Sequence, residues 1–450
     1  MGIATSIHRS ARGAAPRPGK PAAPRTRRPA PLAGLACLTR PARLTRLTRL
    51  ASFASFAGIA GIAILTVPLL LVPPITAVAA PYTPASGADV ITTLPRRSDP
   101  RRQALQALRV ELAGDPHNAA LAAQLARRHI ALGRAQADPR HYGQAQAALA
   151  PWWSSPAPPP AIRLLRATLL QTAHHYHAAL ADLDAITRAD PGNAQAWLTR
   201  AVVLAVTGDH AAATASCARL GGITDELAMA ACLAGAAASS EQQAASERLL
   251  GLALARAGQL PADELAWAHT VWAELAERRG DAATADARYR AALASAPGDT
   301  YLLAARADFL LAHHRPAEAL ALVDTHARAD ALLLRRALAL RQLGQARRLQ
   351  PDIAELSARF DAARRRGDRV HQREQAVFTL HLLGDARGAL ALALENWTVQ
   401  KEPADARIVL EAALAAREPA AARPVLQWLQ RTGFTDAAIA SLAGRLGSPA

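Results

Sequence analysis

Apolar positions recur with a helical period in two consecutive segments of the chain, residues 161–193 and 194–222. Each segment has two amphipathic stretches separated by a short polar turn, which predicts two helices joined as a hairpin. When one segment is laid over the other, Ala167 matches Ala201 and Ala179 matches Ala213, each pair 34 residues apart. A fixed period of this size in a helical sequence predicts a stacked repeat architecture.

The same period returns later in the chain, at the pairs Ala273/Ala307 and Ala285/Ala319. Gly208-Asp209 and Gly280-Asp281 stand between the helices, where glycine permits the turn and aspartate accepts free N–H groups of the next helix. A lone helix is expected before the array, and Pro351 is expected to break the second helix of a later copy. The less regular copies are residues 118–151, 228–259, 330–366, 370–399 and 404–432.

These units resemble tetratricopeptide repeats (TPRs), in which small residues on both helices accompany large ones at fixed places. The large residues here are Tyr176, Trp197, Trp272 and Tyr289. The resemblance covers residues 100–445. It implies an all-α fold, a right-handed TPR-like superhelix (α-solenoid) of about seven to eight helical hairpins. Paired alanines fit this architecture because helices that cross closely need small side chains at the crossing.

The first hundred residues have a different pattern. Residues 1–50 are rich in Arg, Pro and Ala and are expected to be a disordered basic leader. Residues 51–79 continue with an uncharged apolar run that ends in Ala77-Val78-Ala79, the order found in a secretory signal peptide. The run is also long enough to be a retained transmembrane anchor, and both alternatives export the rest of the chain. Residues 80–99 are predicted to be a Pro-rich linker.

The net charge of +16 changes meaning once it is located. Residues 1–79 contain 11 Lys and Arg and no acid, so the remainder carries 16 − 11 = +5, with both signs mixed. This remainder lacks the contiguous basic stripe typical of phosphate recognition, and we expect no nucleic-acid partner. Abundant Ala and Arg with only two lysines, Lys20 and Lys401, indicate a GC-rich bacterial genome.

A Pro-rich insertion, residues 151–160, interrupts the array with the sequence PWWSSPAPPP. Its prolines predict an extended, non-helical strap. Trp152 and Trp153 either anchor this strap on neighbouring helices or form an exposed aromatic contact for a partner.

Two groups of side chains suggest chemistry. His174, His175 and His177 are close in sequence, but they fall at a turn with no Cys or Glu to complete a metal site, so we predict no metal. Cys217 and Cys232 lie on consecutive predicted helices, 15 residues apart. Export would permit a disulfide between them, and two free buried thiols are the alternative.

Catalytic motifs are missing from the sequence: it has no H-E-x-x-H, G-x-S-x-G, Walker or G-x-G-x-x-G pattern. We therefore predict a protein that is not an enzyme and needs no cofactor. In TPR proteins the first helix of each hairpin lines a concave groove that binds peptides. By register, this resemblance implies a partner-binding groove formed by Thr168, Gln171, Val202, Val206, Trp267, Thr270, Glu274, Glu277, Tyr301, Asp308, Leu311, His371, Glu374, Phe378 and His381.

Repeat architecture, export pattern and missing catalytic motifs together suggest a protein-binding scaffold or adaptor of the bacterial cell envelope. It would act in the periplasm or on the inner membrane and hold a protein or peptide partner. Membrane contact would come only from residues 51–79, if they are not cleaved. The alternative is an accessory subunit of an envelope enzyme, secretion or transport complex.

Overall fold

A computed structural model describes residues 99–447, together with residues 84, 86, 88–90 and 92. The predicted leader (1–50), the apolar segment (51–79) and most of the linker lie outside the described residues. From residue 99 to residue 447 the chain is helical without any strand, so the all-α prediction is confirmed. None of the helices described combines the length and apolar character that a bilayer span requires.

Twenty-one helices follow one another along this part of the chain. In order they are α1 (Pro100–Gly114), α2 (Ala119–Gln136), α3 (Arg140–Ala148), α4 (Ala150–Trp153), α5 (Pro160–Thr172), α6 (Tyr176–Ala189), α7 (Ala194–Val206), α8 (His210–Ala218), α9 (Glu226–Ala236), α10 (Ser240–Arg256) and α11 (Ala262–Arg278). They continue with α12 (Ala282–Ser295), α13 (Thr300–Ala312), α14 (Pro316–Val323), α15 (Asp330–Gln342), α16 (Ala346–Arg365), α17 (Gln372–Phe378), α18 (Ala386–Val399), α19 (Pro403–Ala416), α20 (Arg423–Thr432) and α21 (Ala437–Gly447).

Eight hairpins form the body of the fold, and in each one the two helices pack against each other. They are α2/α3, α5/α6, α7/α8, α9/α10, α11/α12, α13/α14, α15/α16 and α17/α18. Consecutive hairpins also touch through contacts such as α6 with α7, α8 with α9 and α14 with α15. Each hairpin therefore contacts its neighbours along the array, which is the arrangement of a TPR-like solenoid.

Glycine and aspartate at the turns inside the hairpins have the roles that the sequence predicts. Gly208 and Gly280 have φ angles of +87° and +78°, in the left-handed region that glycine enters without steric cost. Asp209 and Asp281 cap the helices that follow: each carboxylate accepts a backbone N–H, from Ala212 and Thr284 respectively. Equivalent turns carry His174 at φ +60° and His314 at +56°, so this turn also accepts a side chain.

Alanine seams hold the hairpins together. All eight alanines that define the 34-residue period are buried, with side chains at most 2% exposed: Ala167, Ala179, Ala201, Ala213, Ala273, Ala285, Ala307 and Ala319. Because alanine has only a methyl group, paired helices approach until their backbones nearly touch. A larger residue at these places would force the helices apart.

Two expectations about prolines were wrong. Pro351 does not break its helix but lies inside the continuous α16, where it is the sixth residue and costs a single backbone hydrogen bond. Residues 151–160 are not entirely extended, because Pro151 begins the short helix α4, as proline does readily in a first helical turn. Only the residues after Ser154 run without helix as far as α5.

The solenoid closes on itself. Helix α2, in the first hairpin, contacts α13, in the sixth. Near the end of the described chain, the Lys401 N–H donates to the carbonyl of Val206 (2.7 Å), and the Thr435 N–H donates to that of Ala238 (3.0 Å). These carbonyls lie at the ends of α7 and α9, where helical C=O groups have no partner within their own helix. The C-terminal helices thus bind the turns of earlier hairpins and leave a cavity between them.

Candidate cavity for a partner segment

The central cavity has a volume of about 2450 Å³, and inner helices from α5 to α19 contribute to its wall. Eight of the residues that the sequence places in the groove line it: Gln171, Trp267, Thr270, Glu274, Glu277, Tyr301, Asp308 and His381. Val202, Val206, Leu311, His371 and Glu374 line it as well. The hairpin register therefore identifies this surface correctly along most of the chain.

Two predicted groove residues do not line the cavity. The Thr168 hydroxyl donates to the carbonyl of Leu164 in its own helix (2.9 Å), and Leu169, Gln171 and Thr172 are the α5 residues that reach the cavity. Phe378 is buried against Phe360, with ring centroids 5.3 Å apart.

Helix geometry explains the position of Phe378. From Glu374, steps of three and seven residues lead to Val377 and His381, and both line the cavity. The step of four residues turns Phe378 into the hairpin interior, directly before the chain widens into a π-helical turn, Thr379–Leu383. Val377 is the residue that the register misses.

Helix α11 presents two carboxylates to the cavity, one helical turn apart. The Tyr301 hydroxyl donates to Glu274 Oε1 (2.6 Å), and the Tyr289 hydroxyl donates to Glu277 Oε2 (3.1 Å). Burial raises the pKa of Glu274. Burial also raises the pKa of Glu277 to about 7, against the opposing effects of Arg407, whose guanidinium is 4.0 Å away, and of the Tyr289 hydrogen bond. These two carboxylates therefore have little compensating positive charge.

The other predicted groove residues on this side have close partners. Asp308 accepts two hydrogen bonds from Arg335, at 2.9 and 2.6 Å. His381 Nε2 is 3.0 Å from Glu411 Oε2. Trp267 is mostly buried, and the Thr270 hydroxyl donates to the Ala266 carbonyl of its own helix. Glu274, Glu277 and Tyr301 are thus the parts of this surface best placed to meet a ligand.

A charged cluster around Arg373 connects α17 to the segment before α19. Its guanidinium contacts carboxylate oxygens of Glu402 (2.6 Å), Glu374 (3.3 Å) and Asp405 (3.4 Å). Burial opposes ionisation of Glu374, but the charges of Arg373 and Arg335 outweigh it and lower the pKa of Glu374 to about 2. Burial raises the pKa of Asp405 to about 6, and Arg373 offsets this effect only in part.

Nothing in the sequence pattern indicates the Arg373 cluster. Glu402 and Asp405 belong to an irregular copy, and they meet Arg373 only because the chain folds back across earlier hairpins. Their side chains and that of Gln400 join a network that also includes the Tyr176 hydroxyl, a hydrogen bond over 224 residues of sequence.

Trp152 and Trp153 lie outside the cavity. Both are partly buried against the core formed by α1, α2, α3 and α5. Arg166 fixes the backbone around them, since its Nη1 donates to the carbonyls of Trp153 (2.8 Å) and Ser155 (2.8 Å). The structure thus places the two tryptophans as an anchor for the insertion.

The histidine and cysteine groups lie at the turns and helices expected. His174 stacks on Tyr176, with centroids 5.3 Å apart, and burial lowers the pKa of His174 to about 4. Within the described part of the chain, no three His, Cys, Asp or Glu side chains are grouped as a metal site would need. Cys217 on α8 and Cys232 on α9 are joined by a disulfide in this structure.

The arrangement of helices decides the fold. The described chain is a TPR-like solenoid. Solved structures with a similar helical arrangement include a TPR protein from Parabacteroides merdae (15% identity, 57% of this chain and 86% of that one, TM-score 0.31). They also include a human IFIT1 dimer with m7Gppp-AAAA (13%, 74% and 86%, TM-score 0.41) and the Cut9–Hcn1 hetero-tetramer of APC/C (13%, 77% and 53%, TM-score 0.34). No family model and no curated protein matches the chain.

Proposed function

We propose that this chain is a non-catalytic scaffold that binds a peptide segment of a partner protein inside the central cavity. The observation that carries the proposal is the α11 surface, where Glu274 and Glu277 face a large cavity without a close cationic partner. A volume of about 2450 Å³ exceeds the range of roughly 300–1,000 Å³ that small-molecule sites occupy, and it suits an extended polypeptide segment better.

Charge supports a protein partner over a nucleic acid. The residues that line the cavity include twelve Asp or Glu and twelve Lys or Arg. Most of these arginines have close carboxylate or carbonyl partners, such as Asp308 for Arg335 and the Ala237 carbonyl for Arg278. A polyphosphate backbone needs an excess of positive charge, whereas a peptide with a Lys or Arg side chain finds its counter-charge at Glu274 and Glu277.

The site of action that we propose is the bacterial cell envelope, with the repeat domain in the periplasm. Support comes from the sequence alone, through the basic flank, the uncharged run and the A-x-A site at residues 77–79. Cell fractionation followed by N-terminal sequencing of the mature protein tests this part. A mature chain that begins near Ala80, or an uncleaved chain in the inner membrane, supports export. An uncleaved chain in the cytosol overturns it.

Binding in the cavity is tested by reversing its charge. The tagged protein is used to capture partners from a membrane extract, in parallel with a Glu274→Lys/Glu277→Lys variant and with Glu241→Lys, an exposed position on α10 outside the cavity. The partner recovered by the native chain and the control should be lost with the double variant, and titration of its basic segment should show the same loss. Equal recovery with all three proteins would refute binding at α11. Recovery of a catalytic subunit at fixed stoichiometry would favour the accessory-subunit alternative over a transient adaptor.

A further inference from the structure

Helix α21 forms one part of the cavity wall. Leu442 and Arg445 of this helix line the cavity, together with Asp436 immediately before it. The helix packs on α19 and touches α11, the helix that carries Glu274 and Glu277. Its position determines how widely the cavity opens beside these carboxylates.

The segment directly before α21 is firmly attached to earlier hairpins. Phe434 is buried beside His210, and the Arg278 guanidinium lies 4.4 Å from its ring centroid. Gln243, a buried residue of α10, donates from Nε2 to the Thr435 carbonyl (2.8 Å) and to the Thr435 hydroxyl (3.0 Å). Together with the Thr435–Ala238 hydrogen bond, these contacts fix the chain at the base of α21.

Helix α21 itself is attached far less strongly. Ile439 is its single buried side chain, whereas α19 buries seven of its residues. Leu442 and Leu446 are half-buried, and most of the remaining residues are exposed. An 11-residue helix has little stability without tertiary contacts, so its docking depends on this small apolar contact.

We propose that α21 is a lid that undocks about its first turn and controls access to the cavity. The contacts of Phe434 and Thr435 keep its base in place, while the helix beyond Ala437 moves. Local opening of this kind occurs where few apolar contacts are buried, next to a segment that stays folded. The inference holds for any occupant of the cavity and does not depend on the function proposed above.

A thiol inside the cavity measures the opening. Val202→Cys places it on the cavity wall, and Cys37→Ser in the same chain removes the cysteine outside the disulfide. Labelling rates are compared for N-ethylmaleimide, which is small, and for a maleimide on a long polyethylene glycol chain. The small reagent should react at similar rates in all variants. The bulky reagent should react slowly in the chain with the native lid.

Two substitutions in α21 complete the test. Ile439→Asp removes the buried contact and should accelerate bulky labelling at least about tenfold, while Ser441→Asp, at an exposed position of the same helix, should leave it unchanged. Hydrogen exchange on the full chain provides a second readout, in which the amides of α21 should exchange about tenfold or more faster than those of α19. Bulky labelling that is already fast with the native lid, or that does not respond to Ile439→Asp, would overturn the proposal. Equal exchange in α21 and α19 would also overturn it.

Discussion

Glu277 should make the protein less stable as the pH rises, and the substitution Glu277→Gln should remove this effect. The carboxyl is mostly buried on the cavity wall, and burial raises its pKa from 4.5 to about 7. A group whose pKa is higher in the folded state binds more protons there than in the unfolded chain. The stability of the native protein should therefore fall between these two pKa values.

The size of the effect follows from the pKa shift. One pKa unit corresponds to about 1.4 kcal/mol, so a change from 4.5 to about 7 costs about 3 kcal/mol once Glu277 is fully ionised. Most of this cost, about 2.5 kcal/mol, develops between pH 5 and pH 8. Glutamine has the same shape and never ionises, and its amide oxygen still accepts the hydrogen bond from Tyr289. The variant should accordingly be close to the native protein in stability at pH 5 and clearly more stable at pH 8.

Urea unfolding at pH 5 and pH 8 measures the difference, with circular dichroism as the signal. Glu111→Gln is the matched control, because Glu111 is exposed on α1, and it should change the free energy of unfolding by less than about 0.5 kcal/mol at either pH. If Glu277→Gln shifts stability equally at both pH values, or lowers it at pH 8, the carboxyl is not buried in the way described. The account of the α11 surface would then be wrong.

Three further perturbations test other parts of the structure. Ala213→Leu should lower the free energy of unfolding by about 1–3 kcal/mol because the helices of that hairpin cannot separate, whereas Ala215→Leu on the exposed face of α8 should have little effect in the same denaturation assay. Cys232→Ser should cost roughly 3 kcal/mol if Cys217 and Cys232 are bridged, and the mass after alkylation without reductant should show whether these thiols are free. Arg166→Met should lower stability by about 3 kcal/mol, because it leaves the buried Asp182 carboxylate without its closest cation, and hydrogen exchange should increase around residues 150–160.

The sequence predicts the parts of the fold that depend on local period. Alanines 34 residues apart and Gly-Asp turns report contacts inside one hairpin or between neighbours, and these contacts repeat along the chain. For the same reason the register finds most of the cavity surface, including Glu274, Glu277 and Tyr301. It fails at Phe378, where the helix widens into a π turn, and at Thr168, where the cavity-facing residues of α5 are Leu169, Gln171 and Thr172.

Closure of the solenoid could not be predicted. Hydrogen bonds such as Lys401 to Val206 and Thr435 to Ala238 join residues about 195 positions apart, and backbone groups make them, so they leave no pattern of side chains. The Arg373 cluster depends on the same closure, since it takes Glu402 and Asp405 from the returning segment. Pro351 shows a different limit, because a proline near the start of a long, well-packed helix costs little enough to be retained.

Disulfide trapping at the base of α21 tests most directly whether the solenoid closes around a cavity. A Cβ atom on Gly280 would lie 3.5 Å from Cβ of Ala437, within the range of disulfides, and the equivalent turn position already accepts a side chain at His174. In a Cys37→Ser chain, Gly280→Cys/Ala437→Cys should form an additional intramolecular disulfide under air oxidation. The control Gly344→Cys/Ala437→Cys should not, because Gly344 occupies the same turn position in a later hairpin with nothing near its Cβ. Trapping of both pairs at equal rates, or of neither, would contradict the closed solenoid.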